Sequence, residues 1–152
     1  METLTDTTTI AAPVDQVWAA IENPDRHAHW HPFVQQIDGD HHANSVRTCT
    51  VLIGTRRATT VERCTERLDG RKLGWRIESD TTGFSRMVSG WAAGFTIEPD
   101  GPDKTRVLAQ SVFTPAKLSA HVLRPILRRK FHQTQRTILA SLKQYVEEAV
   151  TK

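Results

Sequence analysis

The chain has 152 residues, with 20 Lys and Arg against 17 Asp and Glu and a formal net charge of +3. That length suits one domain with a core of its own, and a composition 38% hydrophobic and 24% charged is that of a globular chain, which excludes the disordered and fibrous classes. The near balance of charge lacks the dense basic face of a nucleic-acid binder and no apolar run is long enough to span a bilayer, so neither nucleic acid nor integral membrane association is expected.

The first segment, METLTDTTT, has neither the basic nor the apolar region of a secretory signal. From Thr3 to Ile10 it alternates and is rich in threonine, which predicts a strand. Pro13 fits the first position of a helix whose apolar face is Val14, Val17, Trp18 and Ile21; Ala12 before it is a weak cap. Asn23-Pro24-Asp25 restarts a helix with a good cap and an acidic first turn, and Pro32 ends it. Strands follow over Phe33–Ile37, Ser45–Ile53, Arg57–Leu68, Lys72–Ser79, Arg86–Ile97 and Thr105–Thr114, separated by glycine-bearing turns. From Lys117 to Val150 the period becomes helical: Leu127, Phe131, Thr134, Ile138, Leu142, Tyr145 and Ala149 make one stripe, and Pro125 starts or kinks the helix.

These elements predict an α+β domain over residues 1–152: a seven-stranded curved antiparallel sheet wrapped around a long C-terminal helix, with two short helices between strands 1 and 2. Such a wrap leaves space between sheet and helix. The order and spacing of Ile10-Ala11-Ala12-Pro13, Val17-Trp18, Asn23-Pro24, Trp30-His31-Pro32, Val46-Arg47-Thr48 and Val61-Glu62-Arg63, followed by the closing helix, resemble the START-like helix-grip superfamily (SRPBCC), and in particular its polyketide cyclase/dehydrase-like branch. The resemblance covers essentially the whole chain. It implies a cavity that takes a small apolar ligand, such as a lipid, polyketide or isoprenoid, and no cofactor. It also implies a second use of the same cavity, as a cyclase or dehydratase.

Strand alternation assigns the inward face. On the third and fourth strands Arg47, Cys49, Val51, Ile53, Glu62 and Cys64 share one parity, while Thr48, Thr50, Thr59, Arg63, Thr65 and Arg67 fall on the solvated one. Arg47 and Glu62 are expected diagonally across the pair. They read either as a structural ion pair or as a polar anchor for a ligand; if the chain is an enzyme, they are the candidates for carbonyl stabiliser and general acid or base. On the later strands Trp75 faces inward beside Leu73 and Ile77. Met87, Ser89, Trp91 and Phe95 share the next inward set, and Phe113 the last. Trp30 from the second helix, with Leu127, Phe131 and Thr134 from the long helix, completes the expected lining.

His27 and His31 share a helical face, but a third ligand is missing from the sequence pattern, so no metal is expected and the rings are read as mouth-lining. Cys49 and Cys64 are read as buried free thiols in a reducing, cytoplasmic setting. Arg124, Arg128, Arg129, Lys130 and Arg136 read as a solvated helix face or as a patch for acidic lipid headgroups. The loop Ser79–Phe84 and the turn Gly54–Arg57 are candidate lids. Three functions compete: an apolar-ligand binder, an enzyme in the same cavity, and a protein-interaction module. The oligomeric state is left between monomer and homodimer.

Overall fold

Strand β1 (Glu2–Ile10) turns its even residues inward, with Leu4 and Ile10 fully buried, and Thr3, Thr5, Thr7 and Thr9 outward. A computed structural model, describing residues 1–151, follows it with α1 (Val14–Glu22), α2 (Pro24–Trp30), β2 (Val34–Gly39), β3 (Val46–Ile53), β4 (Arg56–Leu68), β5 (Lys72–Asp80), β6 (Val88–Pro99), β7 (Thr105–Pro115), α3 (Leu118–Val122) and α4 (Arg124–Thr151). The strands form one antiparallel sheet in the order β1-β7-β6-β5-β4-β3-β2. Consecutive strands are neighbours from β2 through β7, and β1 closes on β7 with Glu2 opposite Phe113 and Ile10 opposite Thr105. This is the expected helix-grip architecture, with one addition: the short α3 precedes the long helix, and Pro125 sits in the first turn of α4, where its missing N–H costs no hydrogen bond.

The ends of the helices follow from local chemistry. Asn23 caps α2 by accepting from the Arg26 amide at 3.1 Å. Pro13 is the N-cap of α1 rather than its first helical residue, and no side chain caps that end. Gly94 marks where β6 presses on β5: a Cβ there would lie 2.6 Å from the Leu73 carbonyl oxygen and 2.7 Å from the Gly74 Cα. Only glycine permits that approach.

Two apolar clusters fill the helix side of the sheet. The larger joins Ile10, Val17, Ile21, Trp30, Trp75, Phe95 and Ile97 to Leu139, Leu142 and Val146 of α4. The smaller gathers Leu4, Val88, Phe113, Ala120 and Leu127, with Phe84, Met87, Trp91 and Phe131 half-buried against it. The helix α4 is also held by a polar seam. Asp6 on β1, its side chain 9% exposed, accepts from His132 at 2.7 Å, Gln135 at 2.8 Å and Arg136 at 3.1 Å. Glu2 takes Arg124 and Arg128 at 3.0 and 2.6 Å. Burial alone would push the Asp6 carboxyl up, but these partners outweigh it and hold the group below its ordinary value.

The fully buried residues of α4 are Leu127, Gln135, Leu139, Leu142 and Val146; of the expected stripe Leu127 and Leu142 are among them, while Phe131, Ile138 and Tyr145 are half-buried. Thr134 and Ala149 are exposed. Gln135 takes the inward place because Ser111 donates to its Oε1 at 2.6 Å, so a polar side chain is buried without loss.

Candidate functional site

Arg47 on β3 and Glu62 on β4 stand directly opposite each other, not diagonally, because a two-residue turn (Gly54-Thr55) joins the strands. Both are buried. Arg47 donates from Nε and Nη2 to one oxygen of Glu62 at 3.1 and 2.7 Å. The other oxygen accepts from the Thr60 hydroxyl at 2.6 Å. The remaining arm of Arg47, Nη1, lies 2.7 Å from His41 Nε2, and its guanidinium carbon stacks 3.7 Å from the centre of the Trp75 ring. Every strong group of the pair is therefore committed to a neighbour.

Three histidines close over this pair. His41 Nδ1 donates to the Glu22 carbonyl at 3.0 Å, which leaves Nε2 free to accept from Arg47. His27 Nδ1 donates to the Ile21 carbonyl at 3.0 Å, and its ring lies 5.4 Å from that of His41 and 5.6 Å from that of Trp75. His31 stacks on His27 at 5.5 Å and its Nδ1 accepts from the Phe33 and Val34 amides at 3.1 and 3.2 Å. Burial first, and then the Arg47 charge, pushes the His31 and His41 rings down to about 3 and the His27 ring well below its ordinary value. All three are neutral at physiological pH. Among the described residues no group of three His, Cys, Asp or Glu side chains is placed to hold a metal ion. Sequence reasoning found His27 and His31 but passed over His41, whose position beside a turn hid its 2% exposure.

One polar atom in this neighbourhood has no partner. The indole Nε1 of Trp75 is buried without a hydrogen bond, on a side chain whose ring already lies against Arg47, His27 and His41. By contrast, the Trp30 indole donates to the Ala20 carbonyl at 2.8 Å. A buried N–H left unmatched is unusual and invites an acceptor.

The other expected lining residues divide. Trp30, Cys49, Cys64, Phe95, Phe113 and Leu127 are buried on the helix side, while Val51, Met87, Trp91 and Phe131 are half-buried. Ser89 faces outward and is exposed: an extra residue between Ser89 and Ala92, at Gly90 with φ +62, flips the alternation and gives the inward place to Val88. Thr134 is exposed on α4, as described above, so it lines nothing inward. Ile53 at the hairpin tip is 46% exposed. The same bulge effect past Cys64 turns Arg67 inward, against the Trp18 ring at 5.5 Å and the His41 carbonyl at 2.7 Å.

Cys49 and Cys64 are free thiols. Burial pushes Cys49 up to about 12 and raises Cys64, so neither is a thiolate at neutral pH. The two candidate lids are tied to each other, since Arg56 donates to the Thr81 and Thr82 carbonyls at 3.3 and 3.1 Å. Phe84, at the end of its loop, packs on Trp91 and Phe131 at 4.9 and 5.1 Å and covers that end of the interior. A surface groove of about 290 Å³ runs between α2 and β2, lined by Asp25, Ala28, His29, Gln35, Gln36 and Ile37. It shares no residue with the buried polar cluster.

Comparison with known proteins places this geometry. The family described as polyketide cyclase/dehydrase and lipid transport matches residues 1–147. No curated protein matches the chain. Among solved structures, a START superfamily protein from Mycobacterium smegmatis superposes with a TM-score of 0.79 at 14% identity, covering 97% of this chain and 98% of its own. The Zhui aromatase/cyclase from a Streptomyces species gives 0.79 at 16% identity, with 98% and 95% covered. Norcoclaurine synthase from Thalictrum flavum, solved with dopamine and hydroxybenzaldehyde, gives 0.74 at 12% identity, with 97% and 87% covered. At such identities the likeness is one of fold.

Proposed function

The chain belongs to the polyketide cyclase/dehydrase and lipid transport family, and on that premise we propose that it binds a small apolar ligand bearing one hydrogen-bond acceptor, between sheet and α4. The observation that carries this reading is the unmatched indole N–H of Trp75, which a ligand carbonyl or hydroxyl oxygen would satisfy. The half-buried aromatics Phe84, Trp91 and Phe131 supply an apolar end through which the ligand body enters. Both thiols being free and buried supports a cytoplasmic setting.

The test is native mass spectrometry of protein purified without unfolding, followed by titration of the recovered ligand class. A co-purified apolar molecule is expected. Trp75→Phe, which removes the N–H and leaves a smaller aromatic ring in its place, should weaken binding about tenfold, and Trp91→Ala should weaken it through lost apolar contact. Equal affinity in both variants sinks the assignment.

A second reading, catalysis of the cyclase or dehydratase type in the same interior, draws on the family description and on the aromatase/cyclase of like fold. It gives Arg47 the role of carbonyl stabiliser and Glu62 that of acid or base. Glu62→Gln then abolishes turnover of a poly-β-keto substrate while leaving its binding in place. Unchanged turnover in Glu62→Gln removes that machinery.

A further inference from the structure

From Lys104 to Val146 the chain contains no acidic residue, and the exposed part of that stretch has a face that nothing in the fold covers. On α3 and the start of α4, Leu118 is 81% exposed, Val122 70%, Ile126 54% and Leu123 39%. Leu118 and Val122 are one turn apart on α3; Ile126 lies one turn before Lys130 and three residues before Arg129 on α4. Arg124, Arg128, His132 and Arg136 face β1 and are taken by Glu2 and Asp6. Arg129 and Lys130, about one turn after Ile126, enter no ion pair among the described residues; neither do Lys117, beside α3, and Arg86. Arg86 is brought to the same end by the Ala116 amide, which donates to the Met87 carbonyl at 2.9 Å.

We propose that this face, Leu118, Val122 and Ile126 ringed by Arg86, Lys117, Arg129 and Lys130, docks on the surface of an anionic lipid bilayer. The combination selects the partner. Phosphates of a nucleic acid would reward the cations and gain nothing from exposed aliphatic side chains. A bilayer interface takes both, since the aliphatic groups enter the acyl boundary while the ammonium and guanidinium groups reach the headgroups. The face adjoins the half-buried aromatic end of the interior, because Ala120 and Leu127 are the inward residues of the same two helices. The docking does not depend on what the interior holds.

The experiment is cosedimentation of the full chain with vesicles of phosphatidylcholine alone and with vesicles carrying phosphatidylserine. Binding to the anionic vesicles is expected, falling as salt is raised. Arg129→Gln with Lys130→Gln should weaken it about twenty-fivefold, about fivefold for each cation near the surface. Leu118→Ser with Val122→Ser should weaken it at fixed charge, and an environment-sensitive dye on Val122→Cys should shift to the blue only with anionic vesicles. These positions are exposed, so melting curves matching the parent confirm intact folding. The proposal is overturned by absence of binding to anionic vesicles at low salt, or by binding that neither pair of substitutions changes. It is equally overturned by a concentration-dependent dimer that Val122→Ser abolishes, which would make a second copy the occupant.

Discussion

Arg47 and Glu62 illustrate how much of a side chain's role depends on its neighbours. Their inward parity and proximity were readable from strand alternation; the recruitment of His41 and Trp75 was not, because those residues come from another strand and a turn. A pair so enclosed is costly to break. Arg47→Met leaves the Glu62 carboxylate buried without its counter-charge and should lower stability by about 3–5 kcal/mol. Adding Glu62→Leu should restore most of that loss, since an apolar pair of similar volume needs no compensation. Urea denaturation of the two single variants and the double closes the cycle, and a double variant less stable than Arg47→Met alone would contradict the account. Thr134 and Gln135 carry a related lesson. The helical stripe placed Thr134 inward and left Gln135 out, and only the Ser111 and Asp6 partners reveal why Gln135 takes the buried place.

Most elements were legible because their periods are strong, and the errors cluster where a period is interrupted. The bulges at Gly90 and after Cys64 each add one residue, and everything beyond them changes face; Ser89 and Arg67 were misplaced for that reason. A bulge has no hydrophobic signature of its own. In α4 the drift of the stripe by one residue follows from a buried glutamine that a hydrophobicity pattern cannot register. The seam that this glutamine joins predicts a single-residue control of helix docking. Asp6→Asn removes the charge that His132, Gln135 and Arg136 all meet, and should cost about 2 kcal/mol, the range for hydrogen bonds to a charged group. Hydrogen exchange of the α4 amides should quicken in that variant, whereas those of β4 and β5 should keep their protection.

For the molecule as a whole, the three neutral histidines set the response to acid. Each ring is held neutral in the fold, His31 and His41 down to about 3, while in the unfolded chain it takes a proton near 6.5. Below that value the unfolded state binds protons that the folded state refuses. Stability is therefore complete above about pH 6.5 and declines as pH falls towards 3, by about 1.4 kcal/mol per pH unit for each ring and about 4 for all three. Asp6 adds to the loss in the same direction, but only within the carboxylate range. Urea midpoints measured at neutral pH and at about pH 5 should differ accordingly, and His41→Gln should flatten the dependence by about a third. A flat profile between those values would show the rings to be charged or solvated in the fold.

The sheet order carries a consequence for how the chain reaches this state. Strand β1 hydrogen-bonds only to β7, which begins some hundred residues later. Residues 2–10 must stay unpaired on the ribosome until nearly the whole sheet has emerged, and loop-closure entropy makes that last pairing slow. The outward residues Thr3, Thr5, Thr7 and Thr9 keep the waiting segment polar on its outer side. Strand β1 is thus the final stitch of the sheet, and it is most exposed to mispairing until β7 has emerged.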